Sequence, residues 1–197
     1  MRDTKVNWMV KVAMLSAVSV LLMLLEFPIP FIAPPFYEFD FSEVPVLIGA
    51  FALGPTAGVV IELLKILLNL LINGTITGGV GEFANFLVGI SFVLPVEFVY
   101  MKNKSKKNAI IGMVVGGIIM VAISCVINAF VLIPAYGKAL GMPIEAFVDM
   151  GAKIYPAIDS LWKLVLLCTL PFNLLKVVIV SVITTLTYKR IKSIFKI

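Results

Sequence analysis

The chain has 197 residues, 61% of them hydrophobic and 14% charged, with a mean hydropathy of +1.10 and a net charge of +5. That balance excludes a soluble globular domain and describes an all-α, polytopic membrane protein built as one membrane-embedded domain over residues 1–197. At roughly 20 apolar residues per crossing of about 30 Å of hydrocarbon, the length accommodates about six helices and leaves no room for a soluble catalytic domain.

The first span is predicted from about residue 8 to residue 27, closed by Pro28 and Pro30. It is too long for the apolar region of a cleaved signal and reads as a retained helix. In the loop that follows, residues 33–43, Phe36, Tyr37, Phe39 and Phe41 alternate with Glu38 and Asp40. Residues 44–72 are mostly apolar and are split by Gly54-Pro55 into two segments, both short for full crossings. Ser42 is positioned to cap the first, and Pro55 suits the first turn of the second. Their shortness predicts a helical hairpin packed inside a bundle. A glycine-rich loop over residues 73–82, containing Gly79, leads into a fourth span that continues through Pro95 to about residue 100. The fifth span covers about residues 108–131 and the sixth about residues 161–188. The intervening segment carries mixed charge and, from 135 to 160, no motif.

Ten of the sixteen basic residues fall in three clusters: Arg2 and Lys5; Lys102, Lys104, Lys106 and Lys107; Lys189, Arg190, Lys192 and Lys196. A positive-inside arrangement puts both termini and the central loop in the cytoplasm, and the mixed-charge loops outside. Charge confined to loop ends argues against nucleic acid as a partner. No inverted repeat of the kind found in complete secondary transporters is visible.

Three polar side chains interrupt the apolar spans. A lysine at the bilayer centre costs about 3 kcal/mol on insertion scales, so Lys176 is expected to face protein, water or a ligand. Asn173, three residues earlier, lies on the same helical face. Asn128 is a second intramembrane amide, in the fifth span. Glu62 and Lys65 are spaced to satisfy each other, which leaves Lys176 either for an ion pair with Glu62, Glu82 or Glu97 or for a bound molecule. Two amides and a cation suit a flat heterocycle with alternating carbonyl and imide groups, because an amide donates to one and accepts from the other. The loop aromatics can stack on such a ring while the carboxylates bind hydroxyls; the plainer alternative is an interfacial aromatic belt. Small residues one turn apart, Ala13 with Ala17 and Gly112 with Gly116, allow close helix approach within the chain or with a partner.

Several chemistries are excluded. The chain has no His, no paired-cysteine motif (Cys125 and Cys168 lie in apolar runs) and no phosphate-binding GxxxxGK[ST] loop, so no metal or cofactor is expected and enzyme is the lesser reading. Its form would be a small membrane-embedded enzyme of lipid metabolism working through Glu62, Glu82 or Glu97.

The stretches Asp40-Phe41-Ser42-Glu43-Val44-Pro45, Gly49-Ala50-Phe51-Ala52-Leu53-Gly54-Pro55, Thr77-Gly78-Gly79-Val80-Gly81-Glu82-Phe83-Ala84-Asn85-Phe86 and the Asn173–Lys176 pair together resemble the riboflavin-specific S component of energy-coupling factor (ECF) transporters. The resemblance implies a six-helix subunit in a prokaryotic plasma membrane that binds riboflavin from outside, with FMN as a further candidate ligand. It implies partners too: a transmembrane coupling subunit, met through Ala13 and Ala17, and two cytoplasmic ATPases. It assigns Asn128, Asn173 and Lys176 to the polar edge of the flavin, and the loop Phe36, Tyr37, Glu38, Phe39 and Asp40, with the glycine-rich segment around Gly79 and Asn85, to covering the ring and ribityl chain. An S component for thiamine or biotin would keep the fold and change the polar trio.

Overall fold

The computed structural model describes residues 2–195, with side chains described over residues 5–187. Lys196 therefore lies outside the described residues, as do the side chains of Arg2, Lys189, Arg190 and Lys192 in the terminal basic clusters. Helix α1, Arg2–Met23, ends four residues before the predicted stop. Phe27 and Pro28 instead form a two-residue strand, β1, paired antiparallel with β2, Glu38–Phe39, so the loop folds back on itself. A proline ends a helix but is tolerated on the unpaired side of a strand, which a reading based on helix breaking alone misses.

Helix α2, Glu43–Leu53, is 11 residues long and buried continuously from Glu43 to Phe51. It contacts α1 and α3, Pro55–Asn73, and lies against α4, Val80–Lys102, and α9, Leu170–Phe195, so it forms the axis of the bundle. The turn into α3, Pro55–Asn73, uses Gly54 at φ +95°, a conformation that side-chain-bearing residues rarely adopt, followed by Pro55 in the first helical turn. The expected hairpin is thus present. Ser42 does not cap it: its side chain makes no capping bond, and its backbone N–H donates to Asp40 Oδ1 at 2.7 Å. The aspartate two residues upstream competes for that role through a local turn.

Among the described residues five helical stretches are long and apolar enough to cross a membrane: Lys5–Met23, Pro55–Asn73, Val80–Lys102, Lys106–Leu140 and Leu161–Thr187; α2 is too short to qualify. α4 runs through Pro95 without interruption. The outward faces carry Leu, Val, Ile, Phe and Met, among them Met14, Leu71, Ile118 and Leu186. In water these would be a liability; in hydrocarbon they are the expected exterior.

Helix α5, Lys106–Ile127, packs along α4 with Gly112 and Gly116 at the contact. It does not end where the apolar run suggests but passes through a π-helical turn, Asn128–Leu132, into α6, Ile133–Leu140. α7, Ile144–Ala152, follows. The last span is interrupted similarly: α8, Leu161–Leu164, then a π-helical turn, Val165–Thr169, then α9. The two π turns touch each other. The described residues form two apolar cores, one around α2 and the other between the 33–41 loop, α6 to α8 and the start of α9.

Candidate functional site

A cavity of about 180 Å³ opens where the two cores meet. A single water needs roughly 15 Å³ by a comparable measure, so this is a binding-sized space and not a packing defect. Its polar groups come from the wide turns. Asn128 begins the first π turn and donates its Nδ2 back to Ser124 O at 2.9 Å; Asn173, four residues after Thr169 at the end of the second, donates to Thr169 O at 2.9 Å. π-helical turns recur at functional sites because they offset the face that follows. Each back-bond orients an amide and consumes one N–H, leaving one N–H and the carbonyl oxygen of each Asn for another molecule. Both Asn side chains and Lys176 line the cavity, and all three residues are buried.

Lys176 is fixed by a partner that sequence spacing does not indicate. Its Nζ donates to Asp40 Oδ2 at 2.7 Å, whereas Glu62 pairs with Lys65 at 2.8 Å and Glu82 accepts from Thr75 at 2.9 Å. The alternative ion pairs with Glu62, Glu82 or Glu97 are therefore not formed. Asp40 is deeply buried, which alone would raise its carboxyl pKa, but the charges of Lys176 and Lys65 and the hydrogen bonds from Lys176 and Ser42 hold it at about 2. Lys65 also meets Glu43 Oε1 at 2.7 Å, and Glu43 lines the cavity. A chain of charges thus runs beneath the site from α9 to α3.

Aromatic rings supply the flat walls. Phe36, Tyr37 and Phe172 line the cavity, with Tyr37 4.6 Å from Phe36 and 5.5 Å from Phe172 between ring centroids. Tyr37 shares a hydrogen bond of 2.5 Å with Thr169 Oγ1, tying the loop to the second π turn, and burial pushes its phenol pKa well up. Of the residues proposed from sequence, Phe36, Tyr37, Glu38, Asn85, Asn128, Asn173 and Lys176 line the cavity; Phe39, Asp40 and Gly79 do not. Phe39 packs in the second core behind the wall, Asp40 anchors Lys176, and Gly79 takes a left-handed conformation at φ 94° just before α4. The contribution from the glycine-rich segment to the wall is Gly81 instead.

Sequence reasoning missed Glu26, Glu43, Ser124, Tyr136 and Phe172, which also line the cavity. Phe172 was findable, since it adjoins Asn173. Tyr136 lies in the segment without a motif and becomes available only because the π turn carries α5 into α6. Glu26 carries a carboxyl raised to about 7, first by burial and then by the nearby carboxylates of Glu38 and Asp40. Among the described residues no cluster of three His, Cys, Asp or Glu side chains is arranged to hold a metal ion.

Residues 7–188 match the model of the family described as ECF transporter, substrate-specific component. The chain belongs to this family. Among its relatives is the riboflavin transporter RibU of Staphylococcus aureus, 35% identical over 95% of this chain and 92% of the relative. Another is the riboflavin transporter FmnP of Bacillus subtilis, 34% identical over 95% and 93%. A solved structure described as the S component of a bacterial ECF transporter superposes with a TM-score of 0.74 at 34% identity, covering 98% of this chain and 99% of that one. The protein is the substrate-specific membrane component of an ECF importer and not an enzyme, which removes the lipid-metabolism alternative.

Proposed function

We propose that this S component binds riboflavin in the cavity between the two cores and presents it to a separate coupling module. The observation that carries the reading is the pairing of Asn128 and Asn173, two amides back-bonded in the same way at two touching π turns, facing one cavity with Lys176. The pyrimidine edge of an isoalloxazine alternates carbonyl and N–H groups, and a pair of half-satisfied amides with an ammonium complements that alternation. Phe36, Tyr37 and Phe172 offer stacking surface for the rings. The names of the relatives, riboflavin transporters in two bacteria, support the same ligand.

The transport arrangement we propose is the one that membership of the family supports. Six membrane-embedded helices, counting the short α2, with both termini in the cytoplasm, open the cavity to the outside of a prokaryotic plasma membrane. The 33–43 loop and Gly79 region act as its cover. A transmembrane coupling subunit and two ATPases supply the energy, and Ala13 and Ala17, both exposed on α1, form the contact with the coupling subunit. Titrating riboflavin with the purified protein and following flavin fluorescence tests the ligand. The expected result is saturable quenching at one flavin per chain; absence of quenching together with binding of thiamine or biotin would overturn it.

A further inference from the structure

The mouth of the cavity carries a pair of carboxylates that holding a flat ring does not require. The β1–β2 ladder sets Pro28 opposite Glu38 and Phe27 opposite Phe39; continued by one residue, that register puts Glu26 opposite Asp40 and makes Glu38 its diagonal neighbour on the same face. Both residues line the cavity, and the Glu38 charge acts on the Glu26 carboxyl; Glu38 is exposed and Glu26 half-buried. The remaining charges of the lining already have partners. Lys176 is held by Asp40, and Glu43 by Lys65. Lys176 is the one cation among the described lining residues. With Glu62, which shares Lys65 with Glu43, the site and its ion-pair network therefore hold five carboxylates against two ammoniums, and the two carboxylates outside any ion pair, Glu26 and Glu38, stand at the entrance.

We propose that Glu26 and Glu38 form a charge filter that admits the uncharged, hydroxyl-bearing flavin and disfavours its 5′-phosphate. The inference rests on the riboflavin reading and adds to it the basis of selectivity. A ribityl hydroxyl can donate to a carboxylate, whereas a phosphate monoester carries a charge of about −1.5 to −2 at neutral pH and brings only acceptors. Above about pH 7, where Glu26 has lost its proton, placing the phosphate beside the two carboxylates leaves both sides without donors and adds like-charge repulsion, the means by which sites reject a close analogue.

The surrounding groups set how the filter responds to pH. Glu26 faces Glu38 and Asp40 from the loop and Lys176 from α9, while Glu82 from α4 joins Glu26 and Glu38 around Tyr136 of α6. With the Glu26 carboxyl raised to about 7, the pair gains a proton as the medium is acidified, and discrimination falls. The phosphate also loses charge near its second pKa of about 6, so acidification alone does not separate the two causes.

Competitive titrations with riboflavin and FMN on the full chain, at pH 8 and at low and high salt, decide the matter. The expected result is a preference for riboflavin of about tenfold or more at low salt, shrinking at high salt because the entrance charges are solvent-accessible. Glu26→Gln and Glu38→Gln should each raise the FMN-to-riboflavin affinity ratio, and the double variant should raise it about tenfold. Equal binding of the two flavins by the unaltered protein overturns the filter. So does a preference that neither salt nor the neutral variants change, since that would be exclusion by shape. The salt dependence is read on the unaltered protein and decides the question even if a variant fails to fold. Loss of binding for both flavins in the unaltered protein would overturn the riboflavin reading and the filter with it.

Discussion

Lys176 and Asp40, 136 positions apart in sequence, are joined by an Nζ–Oδ2 contact of 2.7 Å with only 10% and 5% of their side chains exposed. The contact makes the loop over residues 33–43 and the last helix one unit at the cavity wall. It also reconciles two readings of Lys176 that the sequence leaves as rivals, because the lysine is in an ion pair and also lines the cavity. The ion pair fixes the ammonium, and its remaining N–H groups are available to a ligand.

Lys176→Met should therefore have two separable effects. Riboflavin affinity should fall by about 2 kcal/mol, the scale of a lost charged hydrogen bond. Stability should fall by about 3 kcal/mol or more, because Asp40 is left as an unpaired buried charge. The double variant Asp40→Asn with Lys176→Met should recover much of the stability and little of the affinity. Thermal unfolding in detergent alongside flavin titration distinguishes these outcomes, and equal recovery of both would mean that Lys176 acts only by holding the loop.

The pH dependence of stability follows from Asp40. Its folded-state pKa of about 2 lies below the ordinary 3.8, so the folded protein holds the proton less tightly than the unfolded chain does. The stabilisation is fully present above about pH 4 and is lost as pH falls towards 2; at about 1.4 kcal/mol per unit it amounts to about 2 kcal/mol. Melting temperatures measured between pH 5 and pH 2.5 should fall more steeply for the unaltered protein than for Asp40→Asn. Parallel curves would show that the loss comes from other carboxyl groups.

Composition and hydropathy were sufficient for the helical membrane class, and the Gly54-Pro55 pair for the buried hairpin, because both depend on local chemistry. Asn128, Asn173 and Lys176 were legible as site candidates because polar groups are expensive in hydrocarbon. What the sequence hid was long-range or irregular. Asp40 pairs across 136 positions, which no helical spacing encodes. The π turns at Asn128 and before Asn173 arise from how two spans meet, and apolar runs through both look like ordinary helix. Pro28 was read as a helix stop and missed as a strand partner for Glu38, so the acidic pair at the entrance stayed invisible.

Gly112 and Gly116 make a sharp packing prediction. A Cβ on Gly112 would lie 2.6 Å from Val96 O, and one on Gly116 would lie 2.6 Å from Phe92 O. Both obstacles are backbone atoms of α4 and cannot rotate away, so α4 and α5 must separate. Gly112→Ala and Gly116→Ala should each destabilise by about 2 kcal/mol, in the range for overpacked cores. The readout is unfolding temperature in detergent; an unchanged value would mean that the two helices slide past the added methyl at little cost.

Ala13 and Ala17 occupy the opposite situation, small residues exposed on the outer face of α1 while their neighbours Val12 and Ser16 are buried within the bundle. Among the described residues neither packs into the bundle. If a coupling subunit packs there, Ala13→Leu and Ala17→Leu should leave folding and riboflavin titration intact, since neither residue lines the cavity. The same substitutions should abolish ATP-driven uptake in vesicles containing the whole transporter, because a leucine on a close-packed helix face forces the backbones apart. Unaltered uptake would place the coupling contact on another face. The substitutions thus separate capture of the ligand, which belongs to this chain, from delivery, which requires its partners.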